Sequence, residues 1–172
     1  MLNVEIKARC ADPDRVRNLI KQKHPVFKGV DHQIDTYFNV NDGRLKLRQG
    51  SIENNLIFYH RNNQAGSKTS HVDLFPVDDK SEALKSILTK SMGVRWIVDK
   101  QREIYFIDNV KFHIDMVEKL GSFVEIEAID SDGSHTEDKL HEQCNYYLNY
   151  LGIKEEDLLT HSYSDMIAAL SN

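Results

Sequence analysis

Seven segments of the chain alternate between apolar and polar residues, which is the pattern of β-strands with two different faces. They are Leu2–Cys10, Val30–Val40, Arg44–Gly50, Asn55–Arg61, Val94–Ile107, Val110–Val117 and Ser122–Ile129. Four other segments have helical periodicity, namely Pro13–Lys23, Ser81–Ser91, Thr136–Leu151 and Tyr163–Leu170. The pattern predicts an α+β fold in which helices surround an antiparallel sheet.

Signals at the ends of these segments agree with the assignment. Asp12 is placed to cap the first helix, with Pro13 at the first helical position, where a missing N–H is harmless. Ser81 or Asp79 could cap the second helix. The polar stretch Asn62–Ser70, which contains Gly66, is predicted to be a mobile loop.

The polar faces of the predicted strands are almost entirely charged. In the first strand, Glu5, Lys7 and Arg9 share one face, and the apolar residues between them share the other. If the helices cover the apolar faces, a closed barrel would direct the charged faces into its lumen. The alternative is an ordinary sheet whose charged face is solvated.

A lumen built in this way has a large positive excess. Its acidic residues would be Glu5, Asp115, Glu125 and Glu127, and its basic residues would be Lys7, Arg9, Arg44, Lys46, Arg48, Arg61, Lys100, Arg102 and Lys111. Buried charges are tolerated when they are paired or bound to a ligand. The imbalance therefore predicts a polyanionic ligand.

The four acidic residues are candidate metal ligands. Glu125 and Glu127 are two apart and face the same way, a hairpin would bring Asp115 beside them, and Glu5 could join from the first strand. Clustered carboxylates repel each other, and Mg²⁺ or Mn²⁺ would relieve that repulsion. The alternative is a set of salt bridges to the basic residues across the barrel.

Composition narrows the range of partners and locations. We expect the 172 residues to form a single domain, residues 1–172, and the formal net charge of −5 argues against nucleic-acid binding. No apolar stretch is long enough for a membrane helix, and the N-terminus does not resemble a signal peptide. Cys10 and Cys144 are predicted to be reduced thiols of a cytoplasmic protein. An exposed face of such a small barrel could form a homodimer.

Several motifs, in order along the chain, resemble those of the CYTH family, the triphosphate tunnel metalloenzymes. The opening strand, with Glu5 and Lys7, is similar to the family's ExExK strand, and Lys100-Gln101-Arg102 is similar to its KxR element. The remaining similar elements are Gly43–Arg48, Leu56–Arg61, Lys111–Asp115, Gly121–Glu127 and the tail Ser162–Met166. The resemblance covers essentially the whole chain.

The resemblance implies an eight-stranded antiparallel tunnel that binds a triphosphate and Mg²⁺ or Mn²⁺. By this resemblance, the metal would be bound by Glu5, Asp115, Glu125 and Glu127. The residues that would grip the phosphates are Lys7, Arg9, Lys46, Arg48, Arg61, Lys100 and Arg102.

The chain departs from the family pattern at two places. The first Glu of ExExK is Asn3 here, which can donate one oxygen to a metal but brings no charge, so we expect a weaker site, above all for a second metal. Where many members of the family have Ser-Asp-Tyr after the loop, the chain has Ser70-His71-Val72, which leaves Lys68 and Ser70 as candidate phosphate contacts. Tyr59 could hydrogen-bond a phosphate or pack in the core. His113 could act as a base near neutral pH, or orient Asp115 or a metal-bound water.

Three functions follow from the resemblance. A class IV adenylyl cyclase would convert ATP to cyclic AMP and pyrophosphate, with Glu5, Lys7, Lys100, Arg102 and His113 as catalytic candidates. A triphosphatase would hydrolyse thiamine triphosphate or inorganic triphosphate, and a non-catalytic module would bind a nucleotide or polyphosphate. A water-activating second metal often helps hydrolysis, so Asn3 favours the cyclase.

Overall fold

Eight antiparallel strands close into a ring in the computed structural model, which describes residues 1–60 and 66–170. The strands are β1 (Leu2–Arg9), β2 (Val26–Phe38), β3 (Arg44–Gln49), β4 (Asn55–His60), β5 (Lys68–Pro76), β6 (Val94–Ile107), β7 (Val110–Val117) and β8 (Gly121–Asp130). Around the ring they follow the order β1-β5-β4-β3-β2-β6-β7-β8, and β8 pairs with β1 to close it. The predicted antiparallel barrel is therefore confirmed.

Among the described residues, four α-helices accompany the strands: α1 (Pro13–Gln22), α2 (Ser81–Met92), α3 (Glu137–Tyr150) and α4 (Tyr163–Leu170). Each lies within two residues of its predicted bounds. Asp12 caps α1 as predicted, because its side chain accepts a hydrogen bond from the Arg15 N–H. The predicted cap of α2 is wrong: the N-cap residue is Lys80, and its side chain makes no capping hydrogen bond.

The strand that the pattern missed is β5, which begins inside the predicted loop and continues to Pro76. Residues 62–65 of that predicted loop lie outside the described residues. In β5 the cavity-facing residues Ser70, Val72 and Leu74 are mostly apolar, and the outward residues between them are mostly polar. The other strands direct charged residues inward and apolar residues outward. In β5 the placement is reversed, so its sequence does not show the charged inner face by which the other strands were recognised.

Helices α1 and α3 cover the outer face of β1, β7 and β8. Val16 and Ile20 of α1 and Leu140 and Cys144 of α3 are buried against the outward apolar residues of these strands. The outward residues are Val4, Ile6, Ala8, Val110, Phe112, Ile114, Val124, Ile126 and Ala128. Because helices occupy the apolar side, the charged side of the same strands faces the interior of the ring.

Helix α4 lies across one end of the ring. Tyr163 at its start is buried with Phe123 and Val98, and the partly buried Met166 and Ile167 pack against this cluster. Ser162 and Tyr163 line the cavity within the ring. We call this the α4 end.

At the opposite end the cavity reaches solvent. Met1 and Leu74 line the cavity there and are 44% and 46% exposed. We call this the open end. Strand β1 begins at the open end and β8 finishes there, since Leu2 pairs with Asp130. Asn3 and Glu127 therefore lie near the open end, and Lys7 lies further toward the α4 end.

The two cysteines, Cys10 and Cys144, are buried free thiols, as predicted. Within residues 1–60 and 66–170, none of the helices has the length and apolar character needed to cross a membrane.

Candidate active site

A cavity of about 230 Å³ lies inside the ring. Its polar lining comes from every strand, because each strand directs alternate side chains inward. The charged residues of that lining are Glu5, Lys7, Asp35, Lys46, Arg48, Glu53, Lys100, Arg102, Lys111, Glu125 and Glu127. The lining at the open end is more apolar and includes Ile57, Val72, Leu74 and Ile129.

The large positive excess predicted from the sequence is not found among the described residues of this lining. Six basic and five acidic side chains line the cavity. Two acids that the sequence analysis missed, Asp35 and Glu53, reduce the excess. Two predicted bases, Arg9 and Arg44, lie outside the lining, and Arg61 falls outside the described residues.

Arg9 and Lys68 are directed elsewhere by the segment that precedes α4. The chain at Leu158 forms a bridge with Ala8, and the Leu159 N–H donates to the Lys7 carbonyl. Arg9, at the end of β1, is exposed, and its guanidinium lies 5.5 Å from the centre of the Phe123 ring. The buried Lys68 ammonium donates to the carbonyl oxygens of Leu159 and Thr160, at 2.8 and 3.0 Å.

Arg44 binds α4 in the structure. Its Nη2 donates to Asp165 Oδ2 at 2.9 Å, so it links β3 to α4. Tyr59, by contrast, lines the cavity as predicted for a candidate phosphate contact, and burial raises its pKa above the ordinary range.

Asp35 on β2 is the centre of one buried ionic group, which we call the Asp35 cluster. Arg48 donates to both carboxylate oxygens, at 2.8 and 2.9 Å, and Lys100 and Lys46 donate to Oδ2 at 2.8 and 3.2 Å. Burial opposes ionisation of Asp35, but the three cations outweigh it and hold its pKa well below the usual range. One carboxylate thus serves three cations, which leaves a local surplus of positive charge.

Lys100 is the member of this cluster whose protonation is most easily reversed. Its side chain is 1% exposed. Burial lowers its pKa to about 7, because the guanidinium groups of Arg48 and Arg102 add to the desolvation and outweigh the attraction of Asp35. Lys100 therefore exchanges a proton near neutral pH, and an anion placed beside it would favour the charged form.

A second buried group, which we call the Glu125 cluster, joins β1, β6, β7 and β8. Arg102 makes a two-point contact with Asp115, at 2.7 and 2.5 Å, and also donates to Glu125 at 2.8 Å. Lys7 pairs with the other oxygen of Glu125, and the Tyr163 hydroxyl donates to Asp115 at 2.8 Å. Both carboxylates are therefore fully engaged by protein groups.

His113 lies behind this cluster and is not part of the cavity lining. It is 1% exposed, and its Nδ1 is 3.0 Å from Glu125 Oε2. Burial, with Arg102 and Lys111 nearby, lowers its pKa below the ordinary value, so the ring is neutral near pH 7. The geometry is that of a residue that orients Glu125.

The arrangement at the open end fits a divalent cation. Glu5 and Glu127 stand directly opposite each other on β1 and β8 and both line the cavity, so two like charges face each other. Asn3 donates through Nδ2 to Glu127, and its buried Oδ1 has no hydrogen-bond partner. Two carboxylates and an unpartnered amide oxygen are the ligands that Mg²⁺ or Mn²⁺ prefers. Glu125, whose oxygens are already bound, stands further along the cavity, and Asp115, also a predicted metal ligand, is buried outside the lining with both oxygens bound.

A different group of candidate ligands lies outside the cavity. Asp130, Asp132 and His135, at the turn between β8 and α3, have ligand atoms within 4.8 Å of one another. Asp130 Oδ1 already accepts hydrogen bonds from the Gly133 and His135 N–H groups, which is the arrangement of an ordinary capped turn.

Asp35 and Glu53 were missed for different reasons. Asp35 belongs to β2, where Asp31, Gln33 and Asp35 share one face, so the alternation could have revealed it. Glu53 lies in the turn between β3 and β4, where no periodicity applies. The structure brings both to the same guanidinium, that of Arg48.

The Asp35 cluster gives a test of the ion pairing. Asp35→Asn leaves Arg48, Lys46 and Lys100 without their shared anion, so we expect the free energy of unfolding to fall by about 3–5 kcal/mol in urea denaturation at pH 7. Lys100→Met in the same background removes one of the unpaired buried charges and should recover part of the loss. An Asp35→Asn variant as stable as the wild type would show that Asp35 does not compensate these cations.

Comparison with known proteins agrees with the fold and the cavity. A "putative adenylate cyclase" of Methanocaldococcus jannaschii is 29% identical over 175 residues, which span 96% of this chain and 98% of that protein. A solved structure from Vibrio parahaemolyticus, also titled a "putative adenylate cyclase", superposes with a TM-score of 0.79 at 17% identity over 98% of each chain.

A Hippeastrum structure, described as that of a "putative adenylyl cyclase" that "reveals a dominant" triphosphatase activity, superposes with a TM-score of 0.61 at 14% identity. The alignment covers 98% of this chain and 95% of that one. The sequence profile of the CYTH domain matches residues 1–163. The ring of eight strands and the matched motifs agree, and the chain belongs to the CYTH family.

Proposed function

We propose that this protein is a divalent-metal-dependent enzyme that acts on a small molecule bearing a triphosphate, with ATP cyclisation as the leading reaction. The observation that carries the proposal is the convergence of six basic side chains from four strands on one cavity that also contains the Glu5–Glu127 pair. The cations would bind phosphate oxygens, and the carboxylates would hold a metal. Divalent-metal dependence is general in the CYTH family.

The shape of the cavity supports one orientation of the substrate. The apolar open end, with Ile57, Val72 and Ile129, suits an organic group, and the Asp35 and Glu125 clusters further in suit the phosphates. The Glu5–Glu127 pair lies between these two parts. This arrangement would place the phosphate nearest the organic group close to the metal ligands.

In the cyclase reaction, the 3′-hydroxyl oxygen of ATP attacks the α-phosphorus. The bond from that phosphorus to the oxygen bridging to the β-phosphorus breaks, pyrophosphate leaves, and the hydroxyl proton passes to solvent water. A bound Mg²⁺ or Mn²⁺ would neutralise charge on the reacting phosphate. Arg48 and Arg102 would stabilise the charge that develops on the leaving pyrophosphate, and Lys7 would position it.

Hydrolysis of the triphosphate is the second candidate. The same cations would grip inorganic triphosphate or thiamine triphosphate, since they recognise phosphate rather than an organic group. The Hippeastrum structure, whose title reports triphosphatase activity, has the same fold. A non-catalytic nucleotide or polyphosphate sensor would use these contacts without turnover.

The reaction is tested by incubating the purified protein with Mg²⁺ or Mn²⁺ and ATP, thiamine triphosphate or inorganic triphosphate. We expect cyclic AMP and pyrophosphate from ATP. Lys7→Ala and Arg48→Ala should abolish triphosphate binding, because each removes a cation from the cavity lining, whereas the exposed Lys139→Ala should not. Release of inorganic phosphate would instead identify a triphosphatase, and binding without any product would identify a sensor.

The number of metal ions is a separate prediction. Because Asn3 is a neutral ligand, we expect one Mn²⁺ per chain when inorganic triphosphate is bound, measured by electron paramagnetic resonance titration. Asn3→Glu adds a charged ligand and should tighten Mn²⁺ binding about tenfold. Two tightly bound ions in the wild type would contradict the role given to Asn3.

Lys100 makes triphosphate binding depend on pH. Its pKa of about 7 in the free protein should rise beside a phosphate, so binding takes up a proton above pH 7. Relative to Lys100→Arg, which stays charged, wild-type affinity should fall as the pH rises from 7 to 9, by up to about tenfold per unit. Calorimetry in buffers of different ionisation enthalpy measures the proton uptake directly, and identical pH profiles for the two proteins would contradict this role.

A further inference from the structure

Glu53 is an anion that the protein itself places among the cations of the cavity. It lies in the turn between β3 and β4, and its side chain lines the cavity and is 15% exposed. One carboxylate oxygen accepts from Arg48 Nη1 at 2.9 Å and from Gln33 Nε2 at 3.0 Å, and the other pairs with Lys111. Glu53 therefore joins a guanidinium from β3 to an ammonium from β7 across the interior.

The turn that carries Glu53 is held by a buried carboxylate. Asp31 on β2 is fully buried and accepts from the backbone N–H groups of Ser51, Ile52 and Glu53, at 2.7, 3.0 and 3.0 Å. Gly50 permits this approach, because a Cβ there would lie 2.5 Å from Asp31 Oδ2. The backbone of Glu53 is thus fixed, and the side chain is the part that can move.

The contacts of Glu53 are those that a phosphoryl group would make. Guanidinium and ammonium groups bind carboxylate and phosphate oxygens with the same donors and similar geometry. The cations outweigh the cost of burial and lower the pKa of Glu53 below its ordinary value, so it is an anion at neutral pH. A phosphate cannot bind Arg48 and Lys111 fully while Glu53 holds them.

We propose that Glu53 occupies the place of one phosphoryl group in the ligand-free cavity and that a polyphosphate must displace it in order to bind. This inference rests on the proposed function and adds a specificity-determining residue to the same site. Glu53 sets a threshold of charge: a triphosphate, whose phosphoryl groups together carry several negative charges, competes with one carboxylate, whereas a singly charged anion has no advantage.

The position of Glu53 allows this displacement. It belongs to the turn at the end of β3 and β4 opposite α4, and its side chain is more exposed than Asp35 at 2% or Asp115 at less than 1%. Asp35 is held by three cations, and Asp115 by both ends of the Arg102 guanidinium and by the Tyr163 hydroxyl. Glu53 can rotate away from the cavity without breaking the ring.

The test compares the affinity for inorganic triphosphate of three proteins by calorimetry, with and without Mg²⁺. Glu53→Gln keeps the size of the side chain and removes its charge, so Arg48 and Lys111 become available. We expect binding about tenfold tighter than in the wild type, which is the order of one close charge pair. Glu118→Gln, which removes the same charge from an exposed turn, should stay within about twofold.

A second comparison tests whether the gain in affinity arises from the loss of the Glu53–Lys111 ion pair. In a Lys111→Gln background the competition at Lys111 is gone, so the gain from Glu53→Gln should shrink. Thermal unfolding with and without triphosphate checks that the variants fold, and the stabilisation by ligand should be larger for Glu53→Gln than for the wild type.

The outcomes separate this inference from the proposed function. Binding by the wild type with equal or weaker binding by Glu53→Gln would overturn the inference and leave the proposed function standing; a loss seen only with Mg²⁺ would identify Glu53 as a metal ligand. Failure of all three proteins to bind triphosphate would overturn the proposed function and the role of Glu53 with it.

Discussion

Inside the ring, charges survive burial because the most deeply buried carboxylates are paired with basic side chains. Asp35 accepts four hydrogen bonds from three of them, and Arg102 joins Asp115 to Glu125. Unpaired ions would be too costly in such a place, whereas networks of this kind are tolerated. The strands that supply these residues are distant in sequence, so the ring and the ionic clusters depend on each other: the closed sheet brings the charges together, and their pairing offsets the cost of burying them.

The alternation of residues predicted the strands that contribute most of this network. In β1, β7 and β8 the apolar residues pack under α1 and α3, and the charged residues face inward, as the sequence indicates. The charge balance could not be predicted as well. Turn residues have no periodicity, so Glu53 gave no signal, whereas Asp35 shares a face of β2 with Asp31 and Gln33 and the alternation could have revealed it.

Other differences arise from tertiary contacts that no local pattern contains. Lys68 was a candidate phosphate contact, but the segment before α4 brings two carbonyl oxygens to its ammonium group. The same segment pairs with the end of β1, so Arg9 projects into solvent. The half of the ring that runs from β5 through β4 and β3 to β2 also differs from the other half. Apolar residues on β2 and β5 remain more than half exposed there, namely Val26, Phe27, Val30 and Phe75.

The position of α4 sets the order in which the parts of a long ligand would enter and leave the cavity. With Ser162 and Tyr163 across one end and Met1 and Leu74 at the solvent, a long anion that enters by the open end arrives with its leading charge deepest. The part of the molecule that enters last lies nearest the open end. If such a molecule is cleaved as proposed, the outer fragment lies at the open end and the inner fragment lies among the deeper cations. We would then expect release of the inner fragment to be slower than release of the outer one.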